Sequence, residues 1–598
     1  MFQSFLNKVG LSEYDFSHKL FPDVSDREYW DAYSAESIIR NAESFLDYSW
    51  PPITATLFME FKRSGNRRIM ETVHFERRQA LVSLAFGELC ENKGRFLEQI
   101  VNGLFLICEE SYWGISAHWY GEHGNIPISH EPYIDLFAAE TAEHISMICT
   151  LLREPLSEFC PEILKIAEHQ LERRIKIPYL AHADYGWMGY ENKPNNWNPW
   201  ILSNLITVFL LFEKDREKLL FALNKMFTEI QHYYDRIPDD GGCDEGPDYW
   251  GKAGGSLFEF VYQLKLATGG ALDLFGDKKL QKMAQYMKNV HIKGAYFVCF
   301  ADCVPSKKQR LAPLVYGYGE ETGDDGLKQL SREMYLDGKA ELYFNPNESL
   351  RRNIICHEFS KGILALEQKE ESESCDTKFM QYLQVATKKC GDLILAAKGG
   401  HNRESHNHND VGSFSLYDNG ISVLADVGIG TYTKQTFSAD RYKIPWVRSA
   451  YHNLPMINGC EQCQGIEYRA DRFEVVDGKV VSSFAAAYDI SAGIKRLCRE
   501  ISLAENTLSF TDSFTFAENA GRAVREVLVS ALDVEISDNS ALIGGKYRVT
   551  SSIGSFSSEY TSFEGDKKLT DAWGCEGVTR IFIDTYGEEK ITVTLTKL

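Results

Sequence analysis

The sequence predicts an α+β chain with two large parts: helical hairpins arranged around a cleft over residues 1–385, then an antiparallel β-sandwich over 386–598. Three observations carry this. Up to about residue 385 apolar residues recur at three- and four-residue spacing, the period of one helix face. From about residue 391 short runs alternate, rich in Val, Thr, Ile and Phe and punctuated by Gly, Asn and Asp, which is the pattern of half-buried strands. Long, aromatic-rich turn segments separate the helical runs, and there is no fixed-period repeat of the kind a stacked solenoid shows.

In chain order the helical runs are 77–94, 96–110, 133–152, 161–175 and 198–214, followed by segments near 216–231, 255–268, 276–290 and 377–389. The connections SYWGISAHWYGEHGNIP at 111–127 and DRIPDDGGCDEGPDYWGKAGG at 235–255 are dense in Gly, Pro, Asp and Asn, residues that set turns. The charged stretch 367–378 reads as an exposed segment before the first strands. The strand runs follow at 392–398, 412–418, 421–428, 473–487, 508–516, 525–532, 547–553, 579–586 and 590–598.

Composition narrows the function. Acidic residues (85) outnumber Lys and Arg (64), a formal net charge of −21. That argues against a general nucleic-acid binder or an anionic-membrane binder, both of which need a basic face. An anionic substrate remains compatible, because screening over about 8 Å lets a local basic pocket override the global sign. No stretch reaches the ~20 apolar residues of a membrane helix. The N-terminus lacks a basic start and an apolar core, which gives the expectation of a cytoplasmic protein. The 14 cysteines are scattered, mostly in apolar contexts, and read as reduced, buried thiols. Cys460 and Cys463 form a CxxC without the second pair a structural zinc site requires.

The segment GGHNRESHNHNDVGSF from 399 is the strongest chemical signal. His406, His408 and Asp410 are spaced by two, so an extended backbone would place all three on one face. Two imidazoles and a carboxylate there suit a metal or acid–base cluster. Downstream, Asp426 ends a strand-like run and His452 follows Arg448 in RSAYHNLP. Arg403, Arg441, Lys443 and Arg448 surround these motifs and would supply the local positive charge.

This order of His-x-His, a strand-end Asp and His-Asn resembles the heparinase II/III-like polysaccharide lyases. The resemblance implies a helical (α/α) toroid, an incomplete barrel, before the β-sandwich. It also implies an Asn on a toroid helix that neutralises a substrate carboxylate. KPNNWNPW offers Asn195, Asn196 and Asn198 beside Trp197, with Asn196 favoured. Capping of the following helix by Asn before Pro199 is the competing explanation. The family's catalytic tyrosine corresponds to Tyr249 in DEGPDYW. By the same resemblance His408, Asp426 and His452 bind a divalent metal, zinc first, with manganese or calcium as alternatives that prefer more oxygen ligands. Asp410 is the expected orienter of a metal ligand. Trp113, His118 and Trp119 are expected to line sugar subsites.

The chemistry implied is β-elimination on a uronic-acid polysaccharide or oligosaccharide: Asn196 neutralises the carboxylate, and Tyr249 and His406 exchange protons with C5 and O4. Glycosaminoglycans such as hyaluronan, chondroitin or heparan sulfate are the first expectation and alginate the second. Two rival functions remain. One is an inverting glycoside hydrolase using carboxylates among Asp239, Asp240, Asp244 and Glu245. The other is a non-catalytic carbohydrate-binding protein.

Overall fold

The structure is a computed structural model that describes all residues except 33–34, 120–123, 129–130, 183, 338–341 and 370–374. The helical half runs through long helices at Arg68–Glu91, Leu97–Cys108, Leu136–Leu151, Pro161–Leu171, Trp197–Phe212, Arg216–Arg236, Gly254–Ala267, Lys278–Asn289, Ala312–Thr322, Asp325–Leu336 and Leu350–Ala365. Several starts are fixed by side chains that satisfy otherwise unpaired N–H groups: Asp135, Asp215, Asp277, Asp324 and Ser349 each accept from the first turn. Their apolar faces meet in one core that includes Phe86, Ile148, Phe209 and Phe258. A buried ion cluster ties three helices together: Glu259 accepts from Arg352 Nε at 2.7 Å and from Arg351 at 3.0 Å, and Arg351 also donates to Thr207 Oγ1 at 3.0 Å. Among the described residues no helix is long and apolar enough to cross a membrane.

The C-terminal half is built of antiparallel sheets. A five-stranded sheet runs from Asp376–Met380 through Val385–Cys390, Leu393–Lys398 and Phe414–Asp418 to Ile421–Leu424. An eight-stranded sheet is centred on Ile494–Ala504, Thr507–Phe516 and Lys590–Lys597, and a four-stranded sheet on Ala523–Ser530 and Gly577–Tyr586. Phe510 pairs with Ile501 on one side and Val593 on the other, and all three side chains point inward. They join Leu395 and Leu416 of the five-stranded sheet and Leu528 and Ile581 of the four-stranded sheet in a shared core. Helices followed by stacked antiparallel sheets are the toroid-plus-sandwich class that the sequence predicts.

Two expectations need correction. Residues 377–389 form no helix: Asp376–Met380 and Val385–Cys390 make a hairpin. The apolar positions of KFMQYLQVATKK fit either period, and pairing against Leu393–Lys398 decides for strand. The same hairpin brings the Cα atoms of Cys375 and Cys390 to 4.6 Å, and the two form a disulfide. The other cysteines are free, Cys460 and Cys463 included.

Candidate active site

Three loops from the toroid and two from the sheets converge. Asn196 stands just before the helix Trp197–Phe212, but its side chain makes no capping bond; Asn195 Oδ1 accepts the Trp197 N–H instead. The Asn196 amide is therefore spent elsewhere, donating to Glu245 Oε2 at 2.6 Å. Glu245 and Tyr249 lie around the short helix Pro247–Trp250. Gly246 enters it at φ 83°, a conformation costly for any other residue. Trp250 anchors this helix by donating to Met283 O.

His406 lies in the loop after Leu393–Lys398, with φ 54°. Its ring stacks on Tyr249 at 4.3 Å between centroids. Its Nε2 stands 3.7 Å from Glu245 Oε2, and its Nδ1 lies 2.6 Å from Asp302 Oδ2. Tyr432 completes the group. Its hydroxyl is 2.7 Å from the Tyr249 hydroxyl and donates to Asp302 Oδ2 at 2.8 Å. Asp302 Oδ1 meets His408 Nε2 at 3.1 Å and accepts from Arg441 at 2.6 Å. Asp302 is thus the common acceptor of four side chains.

Electrostatics follow from burial and these contacts. Burial pushes the Glu245 carboxyl up to about 7. Burial also raises the Tyr249 hydroxyl above its ordinary value, so it holds its proton at neutral pH. Burial alone would raise Asp302, but hydrogen bonds from His406 and His408 and the Arg441 charge hold it well below the carboxylate range. Burial pulls His406 down, and the Asp302 carboxylate outweighs it, so the imidazole is more basic than usual. Because Asp302 is a carboxylate, the neutral form of His406 donates from Nδ1 and leaves Nε2 bare.

Beside this group His408, Asp426 and His452 bring ligand atoms within 4.8 Å of one another, all buried. His408 Nδ1 and His452 Nε2 have no hydrogen-bond partner, and Asp426 Oδ2 meets His452 Nδ1 at 3.2 Å. Buried polar atoms without partners are costly, and two imidazoles with one carboxylate are donors that suit a divalent metal, so the residues fit such an ion. Gly428 lets the two loops approach: a Cβ there would lie 2.0 Å from the Cys303 carbonyl oxygen.

A cavity of about 970 Å³ lies between the toroid and the sheets, and its wall holds the chain neighbours of Asn196, Glu245 and His406 rather than those residues themselves. Asn195, Arg236, Asp244, Arg403 and Ser405 are on its wall. Arg403 is exposed there.

Other expected residues lie apart. Asn198 is fully buried and donates to the carbonyls of Trp187 and Glu229, a structural duty. Trp113 and Trp119 are 1% exposed and cannot line a sugar path. Trp113 donates to Ile107 O with Arg174 over its ring, and Trp119 packs on Tyr112. His118 and Trp197 do face each other at 4.5 Å on partly exposed ground. Arg448 is paired with Glu461, and Lys443 is exposed beside Asp440. Asp410 orients no metal ligand: it pairs with Lys398 Nζ at 2.7 Å. The extended face that would have aligned it with His406 and His408 is broken by the left-handed backbone at His406. Asp302 and Tyr432 are the members the sequence did not single out.

The fold resembles that of heparinase III. A heparinase III crystal structure is 14% identical, with 95% of this chain and 86% of that one covered at a TM-score of 0.62. A mutant heparan sulfate lyase from Pedobacter heparinus is 11% identical over 100% of this chain and 93% of that one, TM-score 0.62. The chondroitin AC lyase of Streptomyces coelicolor, in complex with chondroitin sulphate, is 9% identical over 96% and 82%, TM-score 0.53. No protein-family model and no curated protein matches the sequence.

Proposed function

We propose that the chain is a polysaccharide lyase that cleaves uronic-acid-containing chains by β-elimination. The observation that carries this reading is the convergence of Asn196, Tyr249 and His406 on one group beside the cavity. The substrates named for the structural neighbours, heparan sulfate and chondroitin sulphate, are of the same chemical class.

A uronate C5–H is weakly acidic because its carboxylate already carries charge. The Asn196 amide and the Glu245 carboxyl, neutral below about pH 7, meet that carboxylate with hydrogen bonds and make the enediolate accessible. His406 takes the C5 proton at the bare Nε2. The C5–H electron pair forms the C4=C5 double bond, the C4–O4 bond breaks, and Tyr249 gives its proton to O4. The Asp302 carboxylate stabilises the imidazolium that forms. His408, Asp426 and His452 would hold a divalent metal, zinc by its preference for two nitrogens and a carboxylate, which supplies rigidity to the His-rich loop.

The hydrolase alternative loses ground for a physical reason. Asp240 caps the backbone of Tyr382 and Leu383, Asp244 pairs with Arg236, and Asp239 pairs with Lys279. Glu245 is left without a second free carboxylate among them.

The test is an ultraviolet assay on hyaluronan, chondroitin sulfate, heparan sulfate, heparin and alginate. Growth of conjugated-alkene absorbance on any of them is the expected result. New reducing ends without absorbance would make the chain a hydrolase, and neither signal would make it a binder.

A further inference from the structure

Asp302 connects two groups of residues that would otherwise be independent. Oδ2 serves the proton-transfer side, His406 Nδ1 at 2.6 Å and the Tyr432 hydroxyl at 2.8 Å. Oδ1 serves the metal side, His408 Nε2 at 3.1 Å, with Arg441 at 2.6 Å as the neutralising cation. The carboxylate is 2% exposed, so water does not compete for it. It sits on a turn whose preceding residue, Ala301, has φ 55°, and which packs against Gly428, two residues after Asp426. Arg441 also donates to Asn407 O, the peptide between the two histidines, and so fixes their spacing from the other side.

We propose that Asp302 is a positioning residue that couples the His408–Asp426–His452 cluster to His406, so that a metal bound at the cluster sets the pose of the residue that takes the C5 proton. His408 has two nitrogens and two tasks. With Nε2–H held by Asp302 Oδ1, Nδ1 is left bare and directed away, and Nδ1 is the nitrogen without a partner. A metal on Nδ1 fixes the ring, the ring fixes the carboxylate plane, and the carboxylate plane fixes His406 through Oδ2. Without the metal the His408 ring is held by Asp302 Oδ1 alone, and one of its two fixed points is gone. The same carboxylate selects the tautomer of both rings at once. One residue thereby keeps a metal-accepting nitrogen and a proton-accepting nitrogen facing different sites.

The inference rests on the lyase reading for its catalytic half only. The test is Asp302→Asn in the full chain, which keeps the volume and removes the charge. Zinc affinity, read by competition with a chromophoric chelator, is expected to fall 10- to 100-fold, as for removal of a hydrogen bond behind a metal-ligating histidine. On the polymer the wild type cleaves, kcat is expected to fall by about 10²–10⁴ with KM changed less than threefold, because the substrate contacts are not touched. Wild-type zinc affinity in the variant, or a KM effect as large as the kcat effect, overturns the proposal. His452→Asn is the second variant, since it touches neither Asp302 nor His406. Loss of zinc there with kcat unchanged would break the coupling, and loss of both with KM retained supports it. If the wild type cleaves none of the five polymers, the lyase reading has failed, while the zinc titrations still decide whether Asp302 holds His408.

Discussion

Glu245 offers a test that needs no substrate. Its carboxyl is 3% exposed, with Asn196 as its one short hydrogen-bond donor. Burial lifts it from the ordinary 4.5 to about 7. At about 1.4 kcal/mol per pH unit that gap is worth about 3 kcal/mol. The sign follows from proton binding. Between pH 4.5 and 7 the unfolded chain has released the proton and the folded chain has kept it. The contribution of Glu245 to stability is therefore complete below about pH 4.5 and is lost as pH rises through 7. Glu245→Gln cannot ionise, and its amide oxygen still accepts from Asn196, so it escapes this loss. The stability of the variant minus that of the wild type should rise by about 3 kcal/mol from pH 4.5 to pH 8. Urea unfolding at half-unit pH intervals measures it, and taking the difference cancels the titration of groups remote from Glu245. A difference flat within about 0.5 kcal/mol over that range, or one that falls, would refute the claim that Glu245 is held neutral by its surroundings.

Three further outcomes are expected. Tyr249→Phe should keep its melting temperature and lose about 10²–10⁴ in kcat, measured by alkene absorbance, because the proton for O4 loses its carrier. His408→Ala should release the metal and melt several degrees lower, whereas His406→Ala should keep the metal and lose turnover; elemental analysis and melting curves on the pair check this. Arg499→Ala should cost about 3–5 kcal/mol in denaturant unfolding, since Arg499, 1% exposed, meets Asp512 at 2.6 Å and Glu526 at 3.3 Å and its loss leaves buried acids without a partner.

What the sequence made legible divides by range. Helices and strands are local, and their periods mark eight of the eleven long helices and about half of the strands; Ala312–Thr322, Asp325–Leu336, Leu350–Ala365 and the central strand Ile494–Ala504 carry no pattern that the reading picks out. The stretch read with the wrong period, 377–389, is one where both periods fit and a neighbouring strand decides. Burial of single aromatics is not local. Trp113 and Trp119 sit in a Gly-rich connection that reads as surface, yet the toroid core closes over them. Asn196, Tyr249 and His406 are named by the order of motifs, not by contacts. The one contact the spacing predicts, a shared face for His406, His408 and Asp410, is the one the backbone breaks.

Asp302 shows why the centre of such a group escapes a linear reading. It lies 104 residues from His406, 106 from His408 and 139 from Arg441, so no period relates it to its partners. Its local setting, FVCFADCV, gives only a weak sign: one acid in an apolar run, where an unpaired carboxylate would be too costly to bury. That cost is the usable argument. A lone acid among apolar neighbours must find cations or N–H donors from elsewhere in the chain. In a sequence whose histidines cluster at 401–408, those donors are the economical source. The same reasoning gives Asp410 a different partner, Lys398 at the end of the preceding strand, whose ammonium meets its Oδ1. Two buried aspartates thus compete for the role of orienting His408, and the one with a nearby lysine loses it.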